Sequence, residues 1–265
     1  MTVTELATAS RVDRANVLGC EIDRLDMPQT LAKIEELISD RGFAQHVAIN
    51  AAKIVAMHDN PSLRDIIERC ELVSADGQAV VWASRLLGDP LPTRVAGIDL
   101  MHELLALSER RGFRVFILGA KRDILEAAEA RIRERHPNIQ LVGTRDGYFA
   151  DDEAGEVAEQ VTQARPDILF VAMSSPRKEY WLGEYGRRTG VPFVMGVGGS
   201  VDVIAGLTRR APRPMQIVGL EWLYRLAQEP RRLWRRYLVS NVKFGWLLVR
   251  GMLARRRGSR QAPRA

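Results

Sequence analysis

Six short apolar runs decide what this chain can fold into. They are His46–Asn50 (HVAIN), Glu71–Ala75 (ELVSA), Arg114–Gly119 (RVFILG), Ile139–Gly143 (IQLVG), Asp167–Ser174 (DILFVAMS) and Pro192–Gly196 (PFVMG). They are rich in Val, Ile and Phe and mostly apolar on both faces. A strand of that kind needs cover above and below, the condition of a parallel sheet between two helix layers. Helical patterns lie between the runs, such as Arg122–His136, closed by Pro137. The alternation predicts βαβ units and an α/β fold with a doubly wound, mostly parallel sheet.

With 265 residues the chain has room for one large domain, or a domain with an appendage. Charge marks the division. From residue 209 to the end there are fifteen Lys and Arg against Glu221 and Glu229, a balance of +13, which leaves −7 for residues 1–208 out of the total of +6. We therefore expect a loose leader over 1–20, a mildly acidic catalytic α/β body over 21–208, and an arginine-rich helical appendage over 209–265. Such asymmetry points to a polyanionic partner. In the appendage Leu220, Leu223, Tyr224 and Ala227, then Leu233, Trp234, Tyr237 and Leu238, recur at helical spacing between arginines. That is the pattern of an interfacial helix on an anionic membrane, or of a helix pair packed on the body with a solvated basic face. The longest apolar stretch, Gly245 to Leu253, is interrupted by Arg250 and falls short of the roughly 18 residues a membrane span needs. Cys20 and Cys70 form no metal-ligand or disulfide pattern, and the N-terminus does not read as a signal peptide, so a reducing cytosol is expected.

In an open parallel sheet ligands sit beyond the carboxyl ends of the strands. The residues that follow the runs are polar, charged or glycine: Asn50; Asp76-Gly77; Gly119; Asp146-Gly147-Tyr148; Ser174 to Glu179; and Gly198-Gly199-Ser200-Val201-Asp202. Asp76-Gly77 reads as a β-turn, or as a carboxylate placed to accept a proton from an attacking hydroxyl. Gly196 to Asp202 reads as a plain βα turn, or as a loop whose glycines Gly198 and Gly199 let backbone approach a phosphate. It is not G-x-G-x-x-G, since position 201 is Val, so the dinucleotide fingerprint is missing. Arg177 and Lys178 stand beside a strand end, where a cation would offset the charge of a diphosphate leaving group. No Asp-x-Asp or other carboxylate pair suited to a divalent ion is visible, and neither metal nor cofactor is expected.

Taken in order, ADG (Ala75–Gly77), RVAGIDL (Arg94–Leu100), Gly147-Tyr148-Phe149, SPRKEYW (Ser175–Trp181), GVGGSVDVIAG (Gly196–Gly206), RRAP (Arg209–Pro212) and GLEWLYRLAQEPRRLWRRY (Gly219–Tyr237) resemble the WecG/TagA/CpsF family of glycosyltransferases. The match runs from about residue 20 to 240. The resemblance implies a Rossmann-like sheet and an inverting, metal-independent transfer of N-acetylmannosamine, its uronic acid or a related sugar. The donor would be a UDP-sugar and the acceptor N-acetylglucosamine on a polyprenyl diphosphate. It implies Asp76 as base, with Asn50 and Arg94 lining the sugar and phosphate pocket. Tyr148 and Asp202 would contact the uridine. Arg225, Arg232 and Arg235 would close over the diphosphates. The protein would work in surface polysaccharide synthesis, peripherally on the inner face of the cytoplasmic membrane, and self-association of the chain is compatible with that. Two positions depart from the family pattern: Ala48 stands where Thr is frequent, and Lys178 where Gln is frequent. The competing class is a basic nucleic-acid-binding protein. The polar cluster at strand ends of an acidic body speaks against it, and no nucleic-acid partner is expected.

Overall fold

The computed structural model describes residues 12–261, except the side chains at 232, 236 and 256–261. All six apolar runs are strands of one sheet: β3 (Ala44–Ile49), β4 (Leu72–Ala75), β5 (Arg114–Gly119), β6 (Gln140–Arg145), β7 (Ile168–Ala172) and β8 (Phe193–Gly196), in the order β4-β3-β8-β7-β5-β6. Every pairing in it is parallel, so the fold is α/β and Rossmann-like.

Alternate residues of each strand supply opposite layers. Val115, Ile117, Ile168, Phe170, Phe193 and Met195 pack under α1 (Met27–Ser39), α5 (Gly97–Arg111), α6 (Arg122–Arg135) and α9 (Ser200–Ile204). On the other face Val47, Ile49, Val73 and Ala75 meet α2 (Ala51–Asp59), α3 (Pro61–Glu68) and α4 (Gln78–Leu86). Phe116, Leu118, Leu169, Val171 and Val194 meet α7 (Ala154–Ala164) and α8 (Arg177–Tyr185). The sheet is thus buried on both sides, which is why its strands read as continuous apolar runs rather than alternating ones.

The expected loose leader needs correction. Residues 1–11 lie outside the described residues, but β1 (Arg14–Val17) and β2 (Cys20–Asp23) form an antiparallel hairpin within and beyond it. Its two-residue turn places Leu18 at φ 55° and Gly19 at φ 83°, the left-handed pair that tight hairpins favour. Ala15, Val17, Cys20 and Ile22 enter the core beside β4. The Asp23 carboxylate accepts from Val73 N at 2.6 Å and from Arg14 Nε at 2.7 Å. A buried carboxylate with two such donors ties the hairpin to the sheet.

The appendage comprises α10 (Arg213–Ile217), α11 (Glu221–Gln228) and α12 (Pro230–Gln261). It does not trail away. Phe244 is buried in the core of the hairpin, α2 and α4, Leu247 and Leu248 pack against that core, and Lys243 Nζ reaches Asp59 at 2.6 Å.

Candidate functional site at the carboxyl edge of the sheet

β3 and β8 are neighbours within the sheet. After β3 the chain turns to one face, into α2; after β8 it turns to the other, into α9. That divergence opens a crevice beyond the strand ends, the usual ligand position in doubly wound sheets.

Ile49 of β3 pairs with Ala75 of β4, so Asn50 and Asp76 stand side by side. Asn50 caps α2, its Oδ1 accepting from Lys53 N at 3.0 Å. A Cβ on Gly77 would lie 3.4 Å from the Asn50 Cβ, so the two loops touch. Asp76 is fixed from a distance. Val95 N donates to Ala75 O at 2.8 Å, which docks the RVAGIDL segment against the end of β4. Gly97 N then donates to Asp76 Oδ1 at 2.9 Å. The helix α5 has no cap of its own, since Ala96 precedes it; Asp76 satisfies one of its free N–H groups from another loop.

The loop after β8 is built around Lys178. A Cβ at Gly196 would fall 2.9 Å from Lys178 Cε, and Gly198, at φ +52°, passes with its own notional Cβ 3.8 Å from the ammonium. Glycine at 196 leaves room for the lysine stem, and glycine at 198 adopts the left-handed turn beside it without strain. The ammonium is 3.4 Å from Glu179 Oε1, which also accepts from Lys53 Nζ at 2.8 Å. Glu179 is 2% exposed. Burial pushes its carboxyl up, but the charges of Lys53 and Lys178 outweigh that and hold it down at about 2. One carboxylate thus lies between two ammoniums beyond the ends of β3 and β7. Sequence reading missed Lys53 and the role of Glu179. They are 126 residues apart, and no local pattern links them.

Other expected residues are placed differently. Arg177 is not free to meet a diphosphate: it donates to Gly147 O at 3.0 Å and Phe149 O at 2.6 Å and lies 4.7 Å over the Phe149 ring. It anchors the loop that carries Tyr148. Tyr148 is 69% exposed after the edge strand β6. Asp202 follows β8, three strand spacings or about 14 Å across the sheet, and its Oδ2 lies 3.4 Å from a notional Cβ on Gly199.

Arg94 turns toward the appendage, its Nη1 donating to Glu221 Oε2 at 3.0 Å. Arg225 Nη2 is 3.7 Å from the other oxygen of Glu221. Arg210, from the RRAP motif, forms a two-pronged pair with Asp99 in the first turn of α5. Burial raises the Asp99 carboxyl, and Arg210 more than offsets it, so it ends below the ordinary range. Arg235 lies 5.4 Å over the Trp234 ring, and the Arg232 side chain lies outside the described residues. A separate groove of about 460 Å³, lined by Leu31, Glu35, Leu107 and Arg110 among others, opens at the end of α5 that leads into β5, hence at the opposite edge of the sheet.

Among the described residues no three His, Cys, Asp or Glu side chains gather as a metal site. No described helix is long and apolar enough to cross a membrane.

A parallel, doubly wound sheet with a carboxylate, an amide and fixed cations at its carboxyl edge defines a Rossmann-like α/β enzyme. Its family is given by the sequence model of the "Glycosyl transferase WecG/TagA/CpsF family", which matches residues 15–258. The chain belongs to that family and is a glycosyltransferase of polysaccharide synthesis. Among solved structures, a crystal structure of a substrate-binding periplasmic protein from Ralstonia solanacearum is similar at 16% identity. It covers 87% of this chain and 67% of its own, with a TM-score of 0.31, too loose a likeness to bear on fold or ligand.

Proposed function

We propose that the protein transfers a hexosamine-type sugar from a UDP donor to a polyprenyl-diphosphate-linked acceptor, with inversion and without a metal. The observation that carries this reading is the adjacency of Asp76, Asn50 and the Lys178–glycine loop at the ends of β4, β3 and β8. Asp76 accepts the proton of the acceptor hydroxyl, and that oxygen attacks the anomeric carbon of the donor. The bond from that carbon to the diphosphate oxygen breaks, and its electron pair leaves with UDP. Attack opposite the leaving group inverts the anomeric centre. Lys178, with Lys53 behind it, faces the charge that grows on the leaving phosphate, where a preorganised cation is most effective. Gly198 and Gly199 let backbone approach the same group. Arg94 and Arg225 serve the phosphates nearer the appendage, and Tyr148 and Asp202 stay proposed contacts of the nucleotide. The outer side of α12 rests on anionic lipid at the inner face of the cytoplasmic membrane, which brings the crevice to its lipid-borne acceptor.

The reading is tested by presenting UDP-sugars with a polyprenyl-diphosphate-GlcNAc acceptor and following product by mass spectrometry. Asp76→Asn should lower turnover by about 10²–10⁴-fold, the usual contribution of a general base, while UDP binding measured by calorimetry is retained. Full turnover in that variant would remove Asp76 from the role.

A further inference from the structure

Glu221 sits at the middle of three guanidiniums, but reaches only one of them. Its Oε2 accepts from Arg94 at 3.0 Å. Its Oε1 is 3.8 Å from Arg210 Nε and 3.7 Å from Arg225 Nη2, both beyond hydrogen-bond reach. Arg210 has committed both terminal nitrogens to Asp99. Its Nε–H is buried and has no hydrogen-bond partner among the described residues. An unmatched buried donor on a cation is costly, and this one faces the seam. Two carboxylates, Asp99 and Glu221, are in direct contact with the three arginines. As placed, the carboxylate bonds one guanidinium and stops short of the other two; a phosphoryl group carries more oxygens, a wider span and a higher charge.

We propose that Glu221 is the resident anion of a phosphate site at the seam between body and appendage, and that a substrate phosphoryl group displaces it. The inference rests on the transferase reading above and adds two residues to it. Arg210 donates to the incoming group through Nε while Asp99 holds its fork, and Glu221 is an internal competitor that keeps the guanidiniums gathered until the ligand arrives. The site borders the candidate base: Asp99 lies two residues after Gly97, whose N–H fixes Asp76, and the negative charge of Asp76 is among those felt by Arg210.

The test is calorimetric binding of inorganic pyrophosphate to the full chain at low salt. Glu221→Gln should bind about tenfold more tightly than the parent, a gain of about 1.4 kcal/mol, and Arg210→Gln about tenfold more weakly. Equal or weaker binding in Glu221→Gln overturns the proposal, as does the absence of binding by both parent and variant. Should Glu221→Gln not fold, a crystal structure of the parent with pyrophosphate decides. An anion bonded to Arg94 and Arg210 Nε with Glu221 turned away supports the proposal; an anion elsewhere, or Glu221 still on Arg94, sinks it. Pyrophosphate carries no sugar, so a negative donor screen with tighter binding in Glu221→Gln fails the sugar reading alone. Active transfer with unchanged pyrophosphate binding fails this inference alone.

Discussion

Glu179 has the most sharply defined environment of any single residue at the site. Its carboxyl is held at about 2 in the folded protein, against 4.5 as the ordinary value. A depressed carboxylate contributes its stability above the unfolded value and loses it as pH falls toward the folded one. That contribution, about 3 kcal/mol, is therefore present above about pH 4.5 and is lost between there and pH 2. Glu179→Gln removes the negative charge that Lys53 and Lys178 share. The variant should be less stable by about 3 kcal/mol at pH 7, and its stability should change less over that acid range. Urea unfolding at several pH values reads both effects; an unaltered profile would mean that Lys53 and Lys178 do not depend on this carboxylate. The residues of this cluster were unevenly legible in the sequence. Lys178 stands beside a strand end and could be picked out as a cation there. Lys53 lies on the inner turn of a helix of ordinary composition, and only the fold brings it to Glu179. Glu221 and Arg94 are likewise separated by 127 residues.

At the scale of elements, the strands were readable because burial on both faces leaves an unbroken apolar run. The β1–β2 hairpin was equally present in the sequence but in a different form. Ala15, Val17, Cys20 and Ile22 alternate with Asn16 and Glu21 about Leu18-Gly19. This period of two belongs to a strand with one wet face, a pattern that a search for continuous apolar runs passes over. The appendage shows the opposite difficulty. Its apolar residues have helical spacing, but spacing alone does not say which go inward. Leu233 and Phe244 are buried, whereas Trp234, Leu238, Val242, Trp246, Val249 and Leu253 form a row on the outside, each 47–65% exposed. Arg235 and Arg250 lie over the two tryptophan rings of that row, while Lys243 and Arg255 on the same helix reach Asp59 and Gly88 of the body. An apolar row edged with cations is suited to a head-group region, where each near-surface cation adds about 1 kcal/mol. Replacing Trp234 and Trp246 together by Asp should abolish sedimentation with anionic vesicles and leave the unfolding temperature almost unchanged, since neither side chain is in the core. Phe244→Ala should instead cost about 3–5 kcal/mol because its ring fills the core beside α2. If the tryptophan pair left vesicle binding intact, lipid contact by this row would be refuted.

For the molecule as a whole, the basic segment expected after residue 208 is continuous with the body in packing as well as in sequence. Removing 209–265 takes away Arg210 from Asp99, Glu221 from Arg94 and Phe244 from its seat. The truncated chain should lose vesicle association and turnover, and should also unfold at a lower temperature. A truncated protein that turns over a lipid acceptor at the parent rate would show the appendage to be dispensable. The attachment of α12 along one side has a geometric consequence. A helix of 32 residues is about 48 Å long, and this one is joined to the body through its own side chains rather than through a hinge. Laid on a bilayer, it would act as a keel. The height and heading of the crevice above the lipid would be set once, on landing, and the search for an acceptor would reduce to sliding in a plane. Little orientational freedom would then remain to be lost when the acceptor arrives.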